Sequence, residues 1–199
     1  MKILIITAHP SSQGFTHQVA ARYTKGATES GHEVEILDLY KTDLKQGFVQ
    51  FEDKRDWSNG AEVRAKMQAK ISWADEIVIA HPLWWGGPPA ILKNFLDQNL
   101  TPHFAYQNIK RPYLPDALNI KPLGLLTPRS ARVFATCDGP GWLYFCLAYP
   151  FLTIWRLIVL GYCGLQVKST TLFHTMRLRP DEQKEAWLVK VERMGRTTR

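Results

Sequence analysis

The sequence predicts an α/β fold in which a parallel β-sheet carries helices on both faces. Short apolar runs rich in β-branched residues, such as KILIITA (residues 2–8) and EIVIA (residues 76–80), are typical of strands that are buried on both faces. These runs alternate along the chain with longer segments whose apolar residues recur at helical spacing. Alternation of this kind indicates a parallel sheet whose strands are connected by helices.

The first part of the chain predicts two strands and two helices. A polar loop follows the strand at residues 2–8, and residues 16–30 then form a helix that ends before a glycine. Residues 33–39 (EVEILDL) alternate partly between polar and apolar side chains, which predicts the second strand. Residues 40–59 are charged and aperiodic, so we predict a loop there, and residues 61–73 form the second helix.

The middle of the chain predicts the third strand, a helix and an irregular region. The third strand is EIVIA at residues 76–80. Two prolines open the helix at residues 88–98, because a missing N–H costs little in the first helical turn. Residues 101–129 contain five prolines and no helical period, which predicts an irregular excursion with a short hairpin.

The last part of the chain predicts two strands and two helices. Residues 131–137 (ARVFATC) and 165–173 (LQVKSTTLF) have the composition of strands, and residues 181–194 form the final helix. Residues 142–160 are long and apolar enough to span a bilayer. A proline and Arg156 lie inside that segment, and a membrane passage would divide the β/α series. We therefore predict a packed helix, with contact at a membrane surface as the alternative.

Five strands and five helices in 199 residues match the flavodoxin-like doubly wound sheet, whose strand order is 2-1-3-4-5. We expect residues 1–199 to form a single domain of this kind. In that order the loops after strands one, three and four meet at one edge of the sheet, where open α/β proteins bind ligands. The three loops are HPSSQGFT (residues 9–16), HPLWWGG (residues 81–87) and TCDGPGW (residues 136–142).

Composition limits the function. The chain has a formal charge of +7 and a pI of about 9.4, but its basic residues form no arm with interleaved aromatics, so we predict no nucleic-acid partner. A basic surface suits anionic small ligands such as dinucleotides. The three cysteines form no CxxC pair and imply a reducing compartment. The N-terminus lacks the pattern of a signal peptide, so a cytoplasmic protein is expected.

The three loops together predict a site for a flavin nucleotide. The first begins a helix and can hold phosphate through free N–H groups, although a capped helix start would look the same. The second offers two tryptophans as flat walls for a planar ligand, and a hydrophobic plug beneath a loop is the alternative. The third offers small residues that let the backbone approach a ligand closely.

Several other kinds of site are disfavoured because their motifs are missing. The sequence has no GxGxxG of a Rossmann dinucleotide site and no GxxxxGK(S/T) of a P-loop. It has no GxSxG elbow of a Ser-His-Asp hydrolase. The six histidines show no ligand spacing with acids or cysteines, so no metal site is predicted.

At this point the sequence resembles a known family, the flavin-dependent NAD(P)H:quinone reductases of the flavodoxin-like fold. This family includes the relatives of DT-diaphorase, the bacterial modulator-of-drug-activity type proteins and the ancillary oxidoreductases of potassium-efflux systems. The resemblance covers nearly the whole chain. It is carried by HPLWWGGPPAILKNFLD (residues 81–97), PHFAYQ (residues 102–107), LGYCGLQV (residues 160–167), and His9, Phe15 and Thr16 of the first loop.

The resemblance implies a homodimer with two flavin sites at the subunit interface. It also implies that hydride passes from NAD(P)H through the flavin to a quinone, which is the chemistry of the cofactor. Phe104 and Tyr106 would face the nicotinamide or the quinone from the partner subunit. The cofactor-binding residues that it implies are His9, Phe15, Thr16, Pro82, Leu83, Trp84, Trp85, Gly86, Thr136, Cys137, Asp138, Gly139 and Tyr144.

The chain departs from the family where protons are handled. Residues 135–138 are Ala-Thr-Cys-Asp in place of Thr-Thr-Gly-Gly, and Asn108 replaces a second family tyrosine. The histidine that partners the reduced flavin in the mammalian enzymes has no counterpart within residues 145–151. The candidate catalytic residues are therefore Tyr106, Tyr144 and Asp138, with a purely binding role as the alternative for Asp138 and Tyr144. The room provided by residues 101–129 favours FAD over FMN.

The leading expectation is a cytoplasmic NAD(P)H:quinone oxidoreductase. A regulatory flavoprotein that gates a membrane transporter is an alternative, which the apolar residues 142–160 and the basic surface would serve. An azo- or nitroreductase shares the flavin chemistry and differs in its electron acceptor. A flavodoxin-like domain without any cofactor is the fourth alternative.

Overall fold

A computed structural model describes residues 1–51, 57–110, 120–147 and 153–198. Seven strands and five α-helices follow one another along these residues. The strands are β1 (Lys2–Thr7), β2 (Glu33–Asp38), β3 (Glu76–Pro82), β4 (Tyr106–Lys110), β5 (Ile120–Gly124), β6 (Ser130–Thr136) and β7 (Gln166–Phe173). The helices are α1 (Phe15–Glu29), α2 (Ala61–Trp73), α3 (Ala90–Asn99), α4 (Gly141–Leu147) and α5 (Asp181–Arg196), and a π-helix spans Ile154–Val159.

The main sheet has five strands, all parallel, in the order β2-β1-β3-β6-β7. The predicted five-stranded parallel sheet is therefore confirmed. The numbering 2-1-3-4-5 needs correction, because β4 and β5 pair only with each other as an antiparallel hairpin and leave β6 and β7 to complete the sheet. This hairpin confirms the short hairpin predicted within residues 101–129.

Two apolar clusters cover the two faces of the sheet. Successive β1 residues point to opposite faces, so Ile5 joins one cluster and Leu4 joins the other. The cluster around Ile5 includes Tyr23 of α1 and Leu188 of α5. The cluster around Leu4 is formed with side chains of α2, α3 and the π-helix. The sheet is thus doubly wound, with helices on both faces.

Helices α1 and α5 pack closely because each presents a glycine at the contact. A Cβ on Gly26 would lie 1.9 Å from the carbonyl oxygen of Glu192, and one on Gly195 would lie 2.3 Å from that of Tyr23. Around this contact Arg22 forms an ion pair with Glu192 at 3.2 Å. Such exposed pairs are individually weak, so the glycines and the apolar side chains carry most of the contact.

A buried carboxylate lies at the amino end of β3. Glu76 is 0% exposed, and its Oε1 accepts from Arg132 Nε at 3.0 Å and faces Lys168 Nζ at 3.5 Å. Its Oε2 accepts from the Tyr23 hydroxyl at 2.9 Å and from the Thr198 hydroxyl. A buried charge needs such partners, because desolvation otherwise costs several kcal/mol. Glu76 therefore joins β3, β6, β7, α1 and the segment after α5.

Two predicted helices begin or continue differently. The helix predicted from residue 88 begins at Ala90, because Pro89 holds Pro88 in extended backbone and itself acts as the N-cap with ψ 148°. The predicted apolar helix at residues 142–160 is described as α4 and the π-helix, and residues 148–152 lie outside the described part. Across the described residues, no helix is both long and apolar enough to cross a membrane.

Candidate functional site

A cleft of about 200 Å³ opens at the carboxyl ends of β1, β3 and β6. We call it the three-loop cleft, because the loops that the sequence predicted to converge supply nearly all of its lining. A fourth loop, between β7 and α5, adds one residue that sequence reasoning missed. The lining residues are His9, Phe15, Thr16, Pro82, Leu83, Trp84, Thr136, Cys137, Asp138 and Met176.

The first loop leads into α1, which begins at Phe15. Its N-cap residue, Gly14, has no side chain with which to cap the helix, so the N–H groups of the first turn face the loop. The Ser11 N–H donates to Nδ1 of His9 at 3.0 Å, which fixes the imidazole at the rim. The Thr16 hydroxyl lies 3.3 Å from the Thr136 hydroxyl and joins the first loop to the third. This arrangement can hold an anionic group.

The second loop closes in a tight turn. The N–H of Trp84 donates to the carbonyl of Gly87 at 2.9 Å, and the reverse bond has the same length. Trp85 and Gly86 form the turn with φ of +50° and +78°. The Trp84 side chain is 45% exposed and lines the cleft, whereas Trp85 is 106% exposed and points to solvent. Trp85 and Gly86 therefore lie outside the lining in this chain.

His81 is buried beneath the second loop. Its Nδ1–H donates to the carbonyl of Pro82 at 2.8 Å, and its ring centroid lies 5.4 Å from that of Trp155 in the π-helix. Burial lowers the pKa of His81 to about 4, against a smaller opposing effect of the hydrogen bond to Pro82. The imidazole is therefore neutral at pH 7 and supports the loop without adding charge to the cleft.

The third loop follows β6 and bonds to its neighbours on both sides. The N–H of Leu83 donates to the Thr136 carbonyl at 2.7 Å, and that of Cys137 donates to the Phe173 carbonyl at 2.8 Å. Gly139 lies beneath the ring of Tyr144, where a Cβ would be 2.3 Å from Cε2. Gly139 and Tyr144 thus shape the third loop from behind, outside the cleft lining.

The thiol of Cys137 donates to the carbonyl of Gly139 at 3.9 Å, and the ring of Tyr144 lies against the same glycine. Burial is the main cause that raises the pKa of Cys137, and burial likewise raises the pKa of Tyr144. Both groups are therefore protonated at neutral pH. A protonated phenol can donate a hydrogen bond, whereas a protonated thiol is a poor nucleophile.

Asp138 has both carboxylate oxygens engaged. Oδ1 accepts from the main-chain N–H of Arg177 at 3.1 Å, and Oδ2 forms an ion pair with the guanidinium Nε of the same residue at 3.0 Å. The residue before Arg177 is Met176, which lines the cleft. The predicted site residue Asp138 thus lies at the cleft but is paired with the fourth loop.

Phe104 and Tyr106 lie away from the three-loop cleft. Tyr106 lines an apolar groove of about 500 Å³ between α3, the start of the hairpin and the π-helix. Phe104 is partly buried against the apolar cluster around Leu4 and is not part of the groove lining. The Tyr106 ring contacts that of Tyr162, with centroids 5.0 Å apart. Tyr162 belongs to LGYCGLQV, which the sequence marked only through the family resemblance.

Metal ligands are not clustered in the part of the chain that the structure describes. No group of three or more His, Cys, Asp or Glu side chains there could hold a metal ion. The three cysteines are unpaired.

The sequence profile of the flavodoxin-like fold family matches residues 1–196 of this chain. An uncharacterized NAD(P)H oxidoreductase of Haemophilus influenzae is 30% identical over 193 residues, which cover 94% of this chain and 91% of that protein. The ribosyldihydronicotinamide dehydrogenase-like protein traD of Penicillium crustosum is 38% identical over 126 residues, or 53% of this chain. The matched part covers 46% of that relative, so the chain matches about half of its length.

Solved structures agree with this match. The structure of Smu.1420 from Streptococcus mutans UA159 superposes with a TM-score of 0.80 at 27% identity over 100% of both chains. An NAD(P)H:quinone oxidoreductase from Methanothermobacter marburgensis gives 0.75 at 25% identity, over 99% of this chain and 98% of that one. An FMN-dependent NADH-azoreductase of Bacillus anthracis, solved with FMN, gives 0.74 at 16% identity over 98% of both chains, which shows the shared fold. The chain therefore belongs to the flavodoxin-like fold family, with relatives named as NAD(P)H oxidoreductases.

Proposed function

We propose that this protein is a flavin-dependent NAD(P)H oxidoreductase that reduces quinones or similar acceptors. The observation that carries the proposal is the convergence of three loops with complementary chemistry at one edge of the sheet. The first loop offers N–H groups and hydroxyls, the second offers the half-exposed face of Trp84, and the third offers main-chain groups close to both. A phosphate-bearing planar ligand needs all three kinds of group.

The residues of the cleft fit a flavin nucleotide in a definite orientation. The start of α1, with His9 and Thr16, would hold the phosphate, because helix N-termini stabilise anions. Pro82, Leu83 and Trp84 would contact the isoalloxazine ring. Bound there, the flavin supplies the hydride chemistry, and the protein supplies stacking and hydrogen bonds to the ring.

FMN is the better supported flavin. A structure of the same fold is described as FMN-dependent and contains FMN. The expectation of FAD rested on the length of residues 101–129, of which residues 111–119 lie outside the described part.

The small size of the cleft supports a homodimer. One chain would cover only part of the ligand, and Tyr106 lies in the apolar groove away from the cleft. A second copy that brings its groove against the three-loop cleft would enclose the ring and form a place for nicotinamide or quinone. Trp85, which is fully exposed in one chain, would then be covered as well.

Tyr144 is the stronger of the two nearby candidates for a proton donor. Its raised pKa keeps the phenol protonated, and its ring lies against Gly139 behind the third loop. Asp138 contacts Arg177 through both oxygens, so its carboxylate is engaged with the fourth loop. We therefore assign a hydrogen-bonding role to Tyr144 and do not assign proton donation to Asp138.

The test begins with the purified protein. After incubation with FMN or FAD and removal of excess ligand, bound flavin gives absorbance bands at about 375 and 450 nm, and heat releases it for identification. NADH and NADPH oxidation is then followed with menadione and, separately, with an azo dye. Absence of both bands with either flavin would refute the proposal, and the ratio of the two turnover rates separates a quinone reductase from an azoreductase.

A further inference from the structure

We propose that the loop between β7 and α5, residues 174–180, is a fourth wall of the three-loop cleft and that Asp138 is the positioning residue that holds it there. This inference rests on the proposed function for its effect on the ligand. Met176 is the residue through which the loop reaches the cleft, since its side chain lines the cavity beside the first and third loops. No sequence motif marked this segment.

The backbone of the fourth loop is bonded to that of the third. The Met176 N–H donates to the carbonyl of Cys137 at 3.1 Å, and the Thr175 N–H donates to that of Gly139 at 3.1 Å. Thr175 adopts a left-handed φ of +59°, which costs about 1–2 kcal/mol for a residue with a side chain. Such a conformation persists only when surrounding contacts impose it, so the position of Met176 is strongly constrained.

Asp138 supplies the contact that continues this pairing beyond Met176. Oδ1 accepts from the main-chain N–H of Arg177, and Oδ2 forms an ion pair with its guanidinium. The Arg177 and Asp138 side chains are 86% and 50% exposed, so the ion pair itself stabilises the protein little. The bond to the main chain acts differently, because it fixes the residue that follows Met176.

The other end of the loop is anchored to α5 and to the cleft. Arg179 donates from Nη2 to Nδ1 of His174 at 3.0 Å and lies 5.4 Å above the ring of Trp187. Trp187 in turn contacts Phe15, which lines the cleft, with ring centroids 6.3 Å apart. The loop is therefore fixed at both ends, and the Asp138 contact sets its middle.

This geometry separates positioning from proton transfer. A carboxylate whose two oxygens both engage one neighbouring residue acts through that residue, here by placing Met176 against a bound ring. Loss of Asp138 should therefore weaken flavin binding and accelerate amide exchange of the loop. Loss of a proton donor would instead lower turnover at saturating flavin and change its pH profile, with flavin affinity and amide exchange unchanged.

The experiment compares Asp138→Ala and Arg177→Gln with Glu62→Gln, which breaks an exposed ion pair with Lys66 on α2, remote from the cleft. Amide hydrogen exchange of residues 174–178 is measured on the flavin-free protein. We expect Asp138→Ala to accelerate that exchange about tenfold and to raise the FMN Kd about tenfold, as loss of a charged hydrogen bond implies. Arg177→Gln keeps the main-chain bond, so smaller changes are expected, and Glu62→Gln should change neither quantity.

Each result decides the matter. Unchanged amide exchange in Asp138→Ala would show that Asp138 does not hold the loop. A turnover loss above about 100-fold at saturating FMN, with unchanged Kd, would show that Asp138 acts in catalysis and not as a positioning residue. Asp138→Asn retains an acceptor oxygen, so if Asp138 holds the loop its amide exchange rate should lie between those of the wild type and Asp138→Ala. Should the wild-type protein bind neither FMN nor FAD, the proposed function fails, and the exchange measurement still tests whether Asp138 holds the loop.

Discussion

The two ends of the parallel sheet follow different rules. At the amino end of β3, Glu76 is completely buried and each of its carboxylate oxygens meets two polar partners. At the carboxyl end, Trp84 and Trp85 are exposed, and Trp85 and Thr175 hold left-handed backbone. The first end satisfies its polar groups within the chain. The second end exposes aromatic surface and holds strained backbone, which are features typical of a binding site.

The stability of the fold and the affinity for a ligand depend on opposite ends of the sheet. A buried, fully paired charge contributes little when intact but is costly to break, because its partners are then left unpaired. Exposed aromatic side chains contribute little to folding and much to binding when a ligand covers them. Substitutions at the amino end should therefore affect unfolding, and substitutions at the cleft should affect ligand affinity.

The largest effect is expected at Glu76. Glu76→Ala leaves Arg132 and Lys168 without their carboxylate, and the free energy of unfolding should fall by about 3–5 kcal/mol in urea titrations. Glu76→Gln keeps hydrogen-bonding atoms and should lose less. Glu62→Gln, at an exposed pair, should change stability by less than about 0.5 kcal/mol. A loss below about 1 kcal/mol in Glu76→Ala would contradict the assignment.

The second-largest effect is a pH dependence of the free energy of unfolding, and it comes from His81, which lies just beneath the cleft. Its pKa of about 4 in the folded protein is lower than the usual value of about 6.5 in the unfolded chain. The unfolded state therefore binds the proton more readily between these values. The contribution of the neutral His81 to the free energy of unfolding is fully present above about pH 6.5 and should decrease by roughly 3 kcal/mol as the pH falls to 4. Urea titrations of His81→Gln should lack this part of the pH dependence; an identical pH dependence would contradict it.

The third effect separates the two tryptophans. Trp84→Ala removes the wall of the cleft and should weaken FMN binding by about 1–3 kcal/mol, by analogy with base–aromatic stacking, with little change in unfolding. Trp85→Ala removes a side chain that one chain leaves exposed, so a change in FMN affinity below about 1 kcal/mol is expected. Fluorescence titration with FMN measures both. The reverse order would identify Trp85 as the stacking residue.

The smallest effect tests the strained turn. Gly86 has open space around its Cα, so Gly86→Ala meets no atom, but its φ of +78° disfavours a side chain by about 1 kcal/mol. Gly47→Ala is the matched control, because a Cβ there also contacts no other atom and Gly47 does not adopt a left-handed φ. Thermal unfolding should show a lower Tm for Gly86→Ala alone. Equal Tm values would mean that the turn relaxes without cost.

Much of the architecture could be predicted from the sequence because the parallel sheet depends on local patterns. Apolar β-branched runs place the sheet strands, and topology alone brings the three loops to one edge. The π-helix could not be predicted, because a helical apolar pattern does not distinguish i→i+5 from i→i+4 bonding. The hairpin of β4 and β5 could be predicted only as lying somewhere within residues 101–129, because the prolines there obscure the bounds of its strands.

The details of the cleft depended on tertiary contacts. The contact between Asp138 and Arg177 joins residues that are 39 positions apart, and no spacing rule connects them. The different directions of Trp84 and Trp85 follow from the left-handed turn, which the composition of the loop does not specify. The partners of Glu76 come from several elements, so the sequence showed only an acid at the start of a strand.

The close contact of α1 with α5 has a consequence for how the chain is made. Arg22 and Glu192, which pair across this contact, are 170 residues apart in sequence. The apolar cluster around Ile5 includes Leu188 and Val191, so it can close only after nearly the whole chain has been synthesised. Until then one face of the early strands is uncovered, and such surfaces favour aggregation. The glycines that permit the close contact of α1 and α5 are therefore needed at this last step, when α5 covers the exposed face.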